Sequence, residues 1–339
     1  MRAVGWTCVL AVLVGAVAAG VLIGPVGMPP RAIALELLGR LPFVHVRSGL
    51  SAAQAAILWQ IRLPRVVLGL MVGSMLSLAG SAYQGVFRNP LADPYLLGAA
   101  AGAGLGATVV ITLGMHGGLG PVGPVQAAAF LGALVAVAVT WLLGRGRGRI
   151  RSTASLILAG VAVTSLFTAV QTYYQQRADS TLRLVYSWIL GRLTTAGWHD
   201  VALMLPWAAV ATVVLMLHRR ALDVLALGDE EAASLGLPVD RIRMTVVIAA
   251  SLATAAAVSV SGLIGFVGII VPHTVRLLVG TANRTVVPLA LVAGGAFLVV
   301  ADLAARTVIS PGEVPIGVIT ALVGAPFFLV LLARRVPRL

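Results

Sequence analysis

Long, uninterrupted apolar runs constrain this chain more than any other feature. They recur about ten times along the sequence, most of them about 17–23 residues long. At the rise of an α-helix, such a run crosses a hydrocarbon core of ~30 Å. The runs are rich in Leu, Val, Ala and Gly and lack the alternation of a membrane β-strand. A soluble core is equally excluded, because 59% of the residues are hydrophobic and the mean hydropathy is +1.02. The expectation is an all-α polytopic membrane protein, with one transmembrane domain over residues 1–339. Ten spans are read, at roughly 4–23, 65–87, 95–115, 121–143, 153–175, 200–218, 244–262, 263–272, 285–304 and 315–333. The eighth is too short to cross alone and must be sheltered by neighbouring helices, where irregular backbone is tolerated. The first could pass for a signal peptide, but its apolar run continues to Ile23, which favours an uncleaved span.

Charge narrows the function. The formal charge is +13, yet the arginines cluster between spans and not along one polar face, so no nucleic-acid partner is implied. All 24 basic residues are Arg. Without Lys there is no P-loop lysine and no Schiff base. Any ATP, with its Mg, must therefore bind another subunit, and no cofactor is expected in this chain. Cys8, the single cysteine, offers neither a disulfide nor a metal cluster. If the N-terminus is cytoplasmic, 15 arginines fall on inner segments and nine on outer ones. The dense run GRGRGRIR (144–151) then lies inside, and both termini are cytoplasmic.

The stretch 219–243 stands apart. It holds nine charged side chains in a chain that is 10% charged. Its centre, LGDEEAASLGLP, reads as a short helix with both ends marked. Asp229 can cap its start, and Glu230 and Glu231 suit the positive end of its dipole. Gly236 fits a left-handed C-terminal position, and Pro238 stops continuation. Other signals are spread along the chain. WQIRLPR (59–65) places Arg62 and Arg65 around Pro64, and RNPLADP (88–94) turns the chain. Gly98, Gly102 and Gly106, spaced by four, allow close helix approach. GAGLGA (102–107) lies inside an apolar span with no preceding strand, so it is not a dinucleotide loop. Segment 181–200 reads as a short interfacial helix. Asp302 and Arg306 are four apart and can pair, and His273, without nearby ligand partners, suits packing better than a metal.

This order of motifs, with YSWILGRL, GLIGFVGIIVPHTVRLLVG, ADLAAR and EVPIGVITALVGAPFF completing it, resembles one family over about 280 residues. These are the FecCD-type permease subunits of type II ABC importers for iron siderophores, haem and vitamin B12. The resemblance implies a ten-helix subunit in the bacterial inner membrane, paired with a second permease subunit as a homodimer or heterodimer. It also implies two cytoplasmic ATPase subunits and an extracytoplasmic substrate-binding protein. Asp229, Glu230, Glu231, Ala232, Leu235 and Gly236 would form the coupling helix that engages the ATPase. Arg62, Arg65 and Arg306 would receive acidic residues of the binding protein. Ser152 and Thr153 would mark an inner gate, although Ala154 departs from the family pattern. The cargo class is a metal chelate, iron–siderophore or haem, with vitamin B12 or molybdate as the alternative. Spans poor in His, Cys and acids suit a pre-chelated cargo better than a free ion. An ion-coupled secondary transporter is the rival class; it needs midplane ionisable residues, for which the Asp302–Arg306 pair is a poor candidate.

Overall fold

The computed structural model describes every residue except 1, 41, 43–45, 116, 118–121, 145–152, 178–179, 195–196, 310–311 and 336–339. α1 (Arg2–Leu22) is an apolar helix with much of its surface exposed. Two short helices follow. α2 (Pro30–Leu38) starts on a proline, whose missing N–H costs nothing in a first turn, and α3 (Ala52–Ile57) starts on a capping box. In that box Gln54 N donates to Ser51 Oγ (3.2 Å) and Ser51 N donates to Gln54 Oε1 (3.1 Å).

α3 does not end before the next span. A π-turn over Leu58–Arg62 carries it directly into α4 (Leu63–Phe87), with Leu63 N donating to Leu58 O. Pro64 explains the irregularity: its ring cannot donate and crowds the preceding turn, and a wider turn absorbs both effects. The span read from sequence as 65–87 is thus the inner part of a helix that starts at Ala52.

α4 is the axis of the molecule and is buried along most of its length. The chain returns through α5 (Ala99–Thr112), α6 (Pro124–Gly144) and α7 (Thr153–Gln176), then the short α8 (Leu182–Ile189). α9 (Trp198–Leu225), α10 (Asp229–Ser234), α11 (Val239–Ser261), α12 (Val267–Val279), α13 (Asn283–Thr307) and α14 (Ile316–Arg335) complete it. α9, α11, α12 and α13 pack around α4, and α5 packs between α6 and α7. Among the described residues seven helices are long and apolar enough to cross a membrane, and α5, α12 and α14 are shorter apolar helices.

Three boundaries differ from the sequence reading. The third span begins only at Ala99, because 88–98, with Pro90 and Pro94, is not helical. The eighth, read as 263–272, is instead α12, which starts at Val267. Its preceding turn is set by left-handed backbone at Gly262 (φ 69°) and Phe266 (φ 69°). The sixth continues past residue 218 to Leu225, so Arg219, Arg220 and Asp223 ride on α9.

Helix contact in this core depends on missing side chains. A Cβ on Gly73 would overlap the Gly294 carbonyl of α13, and one on Gly294 would overlap Gly73 in return. Gly80 meets the Gly268 backbone of α12 in the same way. Gly102 and Gly106 press against Gly132 and Ala128 of α6, as their spacing predicts, whereas Gly98 serves the left-handed start of α5 (φ 84°). Substituting Gly73→Leu should push α13 away from α4, at a cost of about 1–3 kcal/mol or more. We expect a lower melting temperature and loss of a monodisperse peak in detergent. Gly15→Leu on α1, where a Cβ meets nothing within 4 Å, should change neither.

Candidate functional site

Polar chemistry gathers at the two ends of α4. At its C-terminal end the chain leaves α9, crosses 226–228 and forms α10. Gly228, at φ 138°, takes the N-cap position that the sequence suggested for Asp229. Asp229 is freed for another task. Its carboxylate accepts from Arg243 Nη2 of α11 at 2.9 Å and pairs with Arg88 at 3.2 Å. Arg88 is itself the left-handed C-cap of α4 (φ 50°). The start of α10 is therefore tied to α4 and α11 by charge-assisted bonds.

The far end of α10 closes in a Schellman motif. Leu237 N donates to Ala232 O (3.0 Å) and Gly236 N to Ala233 O (2.9 Å), with Gly236 at φ 82°. Ala232 is buried beneath the helix, while Glu230, Glu231, Leu235 and Gly236 face outward. Leu227 and Leu235, which flank α10, are 63% and 67% exposed, so two uncovered leucines lie beside its two carboxylates.

Beneath α10 lies a network the sequence reading missed. Asp223 of α9 accepts from Asn283 N and, at 3.2 Å, from Arg284 N, so it caps α13 from another helix. Asn283 Nδ2 donates to Leu222 O (3.1 Å), and Arg276 donates to Asn283 Oδ1 (3.0 Å) and Gln84 Oε1 (3.3 Å). α4, α9, α12 and α13 meet here. The only sequence signal was an acid three residues after a double arginine, which reads as an ordinary solvated charge.

At the other end of α4 the three expected docking arginines come together, but they face inward. Arg62, Arg65 and Arg306 are 3%, 8% and 3% exposed. Arg65 grips Asp302 of α13 through Nε (3.0 Å) and Nη2 (2.8 Å), and Glu313 through Nη1 (2.8 Å). Arg62 donates to Val21 O (3.0 Å) and Val26 O (2.8 Å), and Arg306 to Gly20 O (2.6 Å). The expected Asp302–Arg306 pair exists at 3.6 Å but is the weaker one. In this geometry all three guanidinium groups are engaged within the chain. Outside the cluster, Trp59 Nε1 donates to Glu36 Oε1 (3.1 Å) and Arg40 lies 5.1 Å from the Trp59 ring centroid. Hydrogen bonds from Ser48 and Trp59 hold the Glu36 carboxyl below its ordinary range.

α8 forms where an interfacial helix was expected, with Val185 and Trp188 buried and Leu184 and Tyr186 exposed. His273 packs inside α12, its ring 5.9 Å from Phe327. Of the gate candidates, Ser152 lies outside the described residues and Thr153 is the first residue of α7. Most of the arginine run 144–151 also lies outside them.

Comparison with known proteins agrees with this architecture. The model of the FecCD transport family matches residues 10–334. The cobalamin import system permease protein BtuC of Halobacterium salinarum is 43% identical, over 91% of this chain and 80% of its own. The hemin transport system permease protein HmuU of Yersinia pestis is 38% identical, over 81% and 82%. Among solved structures, an inward-facing ABC transporter of metal-chelate type superposes with a TM-score of 0.83 at 28% identity, covering 98% of this chain and 100% of that one. The chain belongs to the FecCD transport family and is a multi-pass membrane permease of the ABC-importer type.

Proposed function

We propose that this chain is the membrane pathway of an ATP-driven importer for a pre-formed metal chelate, working by alternating access across a bacterial inner membrane. The observation that carries this is α10: a short ridge, braced from below by Asp229 and Ala232, with Leu227, Glu230, Glu231 and Leu235 uncovered. Its partner is a cytoplasmic ATPase, of which two copies serve a pair of permease subunits. Both termini then lie in the cytoplasm with α10, and the α8 end faces a substrate-binding protein outside. ATP and Mg belong to the ATPase, which supplies the differential affinity that moves this chain between its two states. A large chelate is supported by the two cargoes in the relatives' names, cobalamin and hemin, both metal-centred macrocycles. An iron–siderophore or haem is the preferred cargo and vitamin B12 the second.

The test is co-purification with the ATPase and binding protein encoded beside it, followed by ATPase assays with ferric siderophores, haem, cobalamin and molybdate. Stimulation by one loaded binding protein supports the reading and names the cargo. If no ATPase co-purifies, the importer reading fails.

Two substitutions separate the parts. Glu230→Ala with Leu235→Ala, on the exposed face of α10, should lower uptake at least about tenfold while leaving the melting temperature unchanged, since exposed changes of this kind cost within about 0.5 kcal/mol. Unchanged uptake would remove α10 from coupling. For the opposite end we propose that Arg62, Arg65 and Arg306 shape the docking face from beneath by fixing the ends of α1, α4 and α13. Arg65→Ala leaves Asp302 buried without its main partner, a loss of about 3–5 kcal/mol. Its melting temperature and its affinity for the binding protein should therefore fall together. Weaker docking at an unchanged melting temperature would restore the direct-contact role.

A further inference from the structure

Two cavities at the α8 end share a wall. The first, of about 230 Å³, lies among the ends of α5, α6, α8, α9 and α11, and Arg192 and Asp200 line it. The second, of about 210 Å³, lies between α6, α9 and α11, and its lining is mostly apolar, with Phe130, Leu131, Met204 and Trp207. Gln126, Ser259 and Val260 line both, so the two adjoin, and we treat them as one cleft. Along α9 the cleft runs from Asp200 to Trp207, on the order of 10 Å into the span at the helical rise. It is polar at the membrane surface and apolar below.

The polar part holds opposite charges that do not neutralise each other. Among the described residues neither Arg192 nor Asp200 is in an ion pair, although both line the same cavity, and Arg192 also borders the neighbouring cavity of Asp302 and Glu313. Arg192 is held there by its backbone, whose N–H donates to Ser261 O at 2.8 Å. Asp200 accepts from Gly197 N (3.2 Å) through one oxygen, which fixes the carboxylate at the start of α9. The apolar part is open to the side, where Leu131 of α6 and Trp207 of α9 are 55% and 44% exposed.

From this shape and charge pattern we infer a binding site for one phospholipid with a zwitterionic, amine-bearing headgroup. One acyl chain lies between α6 and α9 against Phe130 and Trp207. The phosphate meets the Arg192 guanidinium, and the ammonium meets Asp200. A purely anionic headgroup would satisfy Arg192 and be repelled by Asp200. A single-chain fatty acid would leave Asp200 without a partner. The site is independent of cargo and of the ATPase, so its test stands apart from the importer reading.

Native mass spectrometry of the full-length chain, stripped of lipid in detergent, decides it. The probes are phosphatidylethanolamine, phosphatidylglycerol and a fatty acid at equal concentration. We expect one phosphatidylethanolamine per chain, retained about tenfold better than either competitor, the size of one charge-assisted contact. Arg192→Ala should reduce that retention about tenfold or more. Asp200→Asn keeps the cap on α9 and should erase the preference over phosphatidylglycerol. Equal retention of the three probes by the wild-type chain would overturn the site, and that measurement needs no variant to fold. Retention unchanged in both variants would overturn it as well.

Discussion

Arg65 and Asp302 fix the arrangement on which the rest depends. A guanidinium cannot stay unpaired inside an apolar bundle, and neither can a carboxylate. Their bond joins the start of α4 to the end of α13, through two residues 237 positions apart in sequence. Arg306 and Glu313 complete the cluster, and Arg62 adds bonds to the end of α1. Such a cluster adds little net stability over apolar packing of equal volume, but breaking it is costly. Its value is register. With α4 and α13 locked at one end, their glycine contact at Gly73 and Gly294 can form only in one place.

That contact is what packing between helices in a bilayer requires. Lipid tails are as apolar as the helices, so there is little hydrophobic drive to bring spans together. Dispersion at short range must serve, and it falls away within a fraction of an ångström. Backbone-to-backbone approaches at Gly73–Gly294, Gly80–Gly268 and Gly102–Gly132 supply it on three sides of the bundle. The short helices follow from the same rule. α12 stops short of a full crossing, and its non-helical approach at 262–266 is sheltered by α8 and Tyr95, whose hydroxyl donates to Ile264 O at 3.0 Å.

Local signals were legible in the sequence, and long-range ones were not. The apolar helices, the Schellman glycine at Gly236, the short helix α8 and the close-packing Gly102 and Gly106 each follow from residues within a turn or two of one another. The i,i+4 pair of Asp302 and Arg306 was visible for that reason, and it proved the weaker bond. Its stronger partner, Arg65, was hidden by distance along the chain, and so was the role of Glu313. Motif resemblance singled out Arg62, Arg65 and Arg306, which the fold brings into one cluster, but gave no sign of their burial. Asp229 illustrates the same limit: the capping rule fits its position, yet two arginines from other helices compete for its carboxylate, and Gly228 can adopt the backbone that the cap needs.

The two polar ends are mechanically one object. α4 begins at the arginine cluster and ends at Arg88, which holds Asp229 of α10. α13 begins at the Asp223 cap beneath α10 and ends at Asp302 and Arg306. The two helices run between the same two clusters and touch midway through paired glycines. A displacement of α10 therefore acts on both: on α4 through Arg88 and Asp229, and on α13 through the end of α9 and Asp223. Each junction is a set of directional hydrogen bonds, and the glycine contact between the two helices is close-packed. In the arginine cluster at their far ends Glu313, its carboxylate side chain 27% exposed, is the member most open to release.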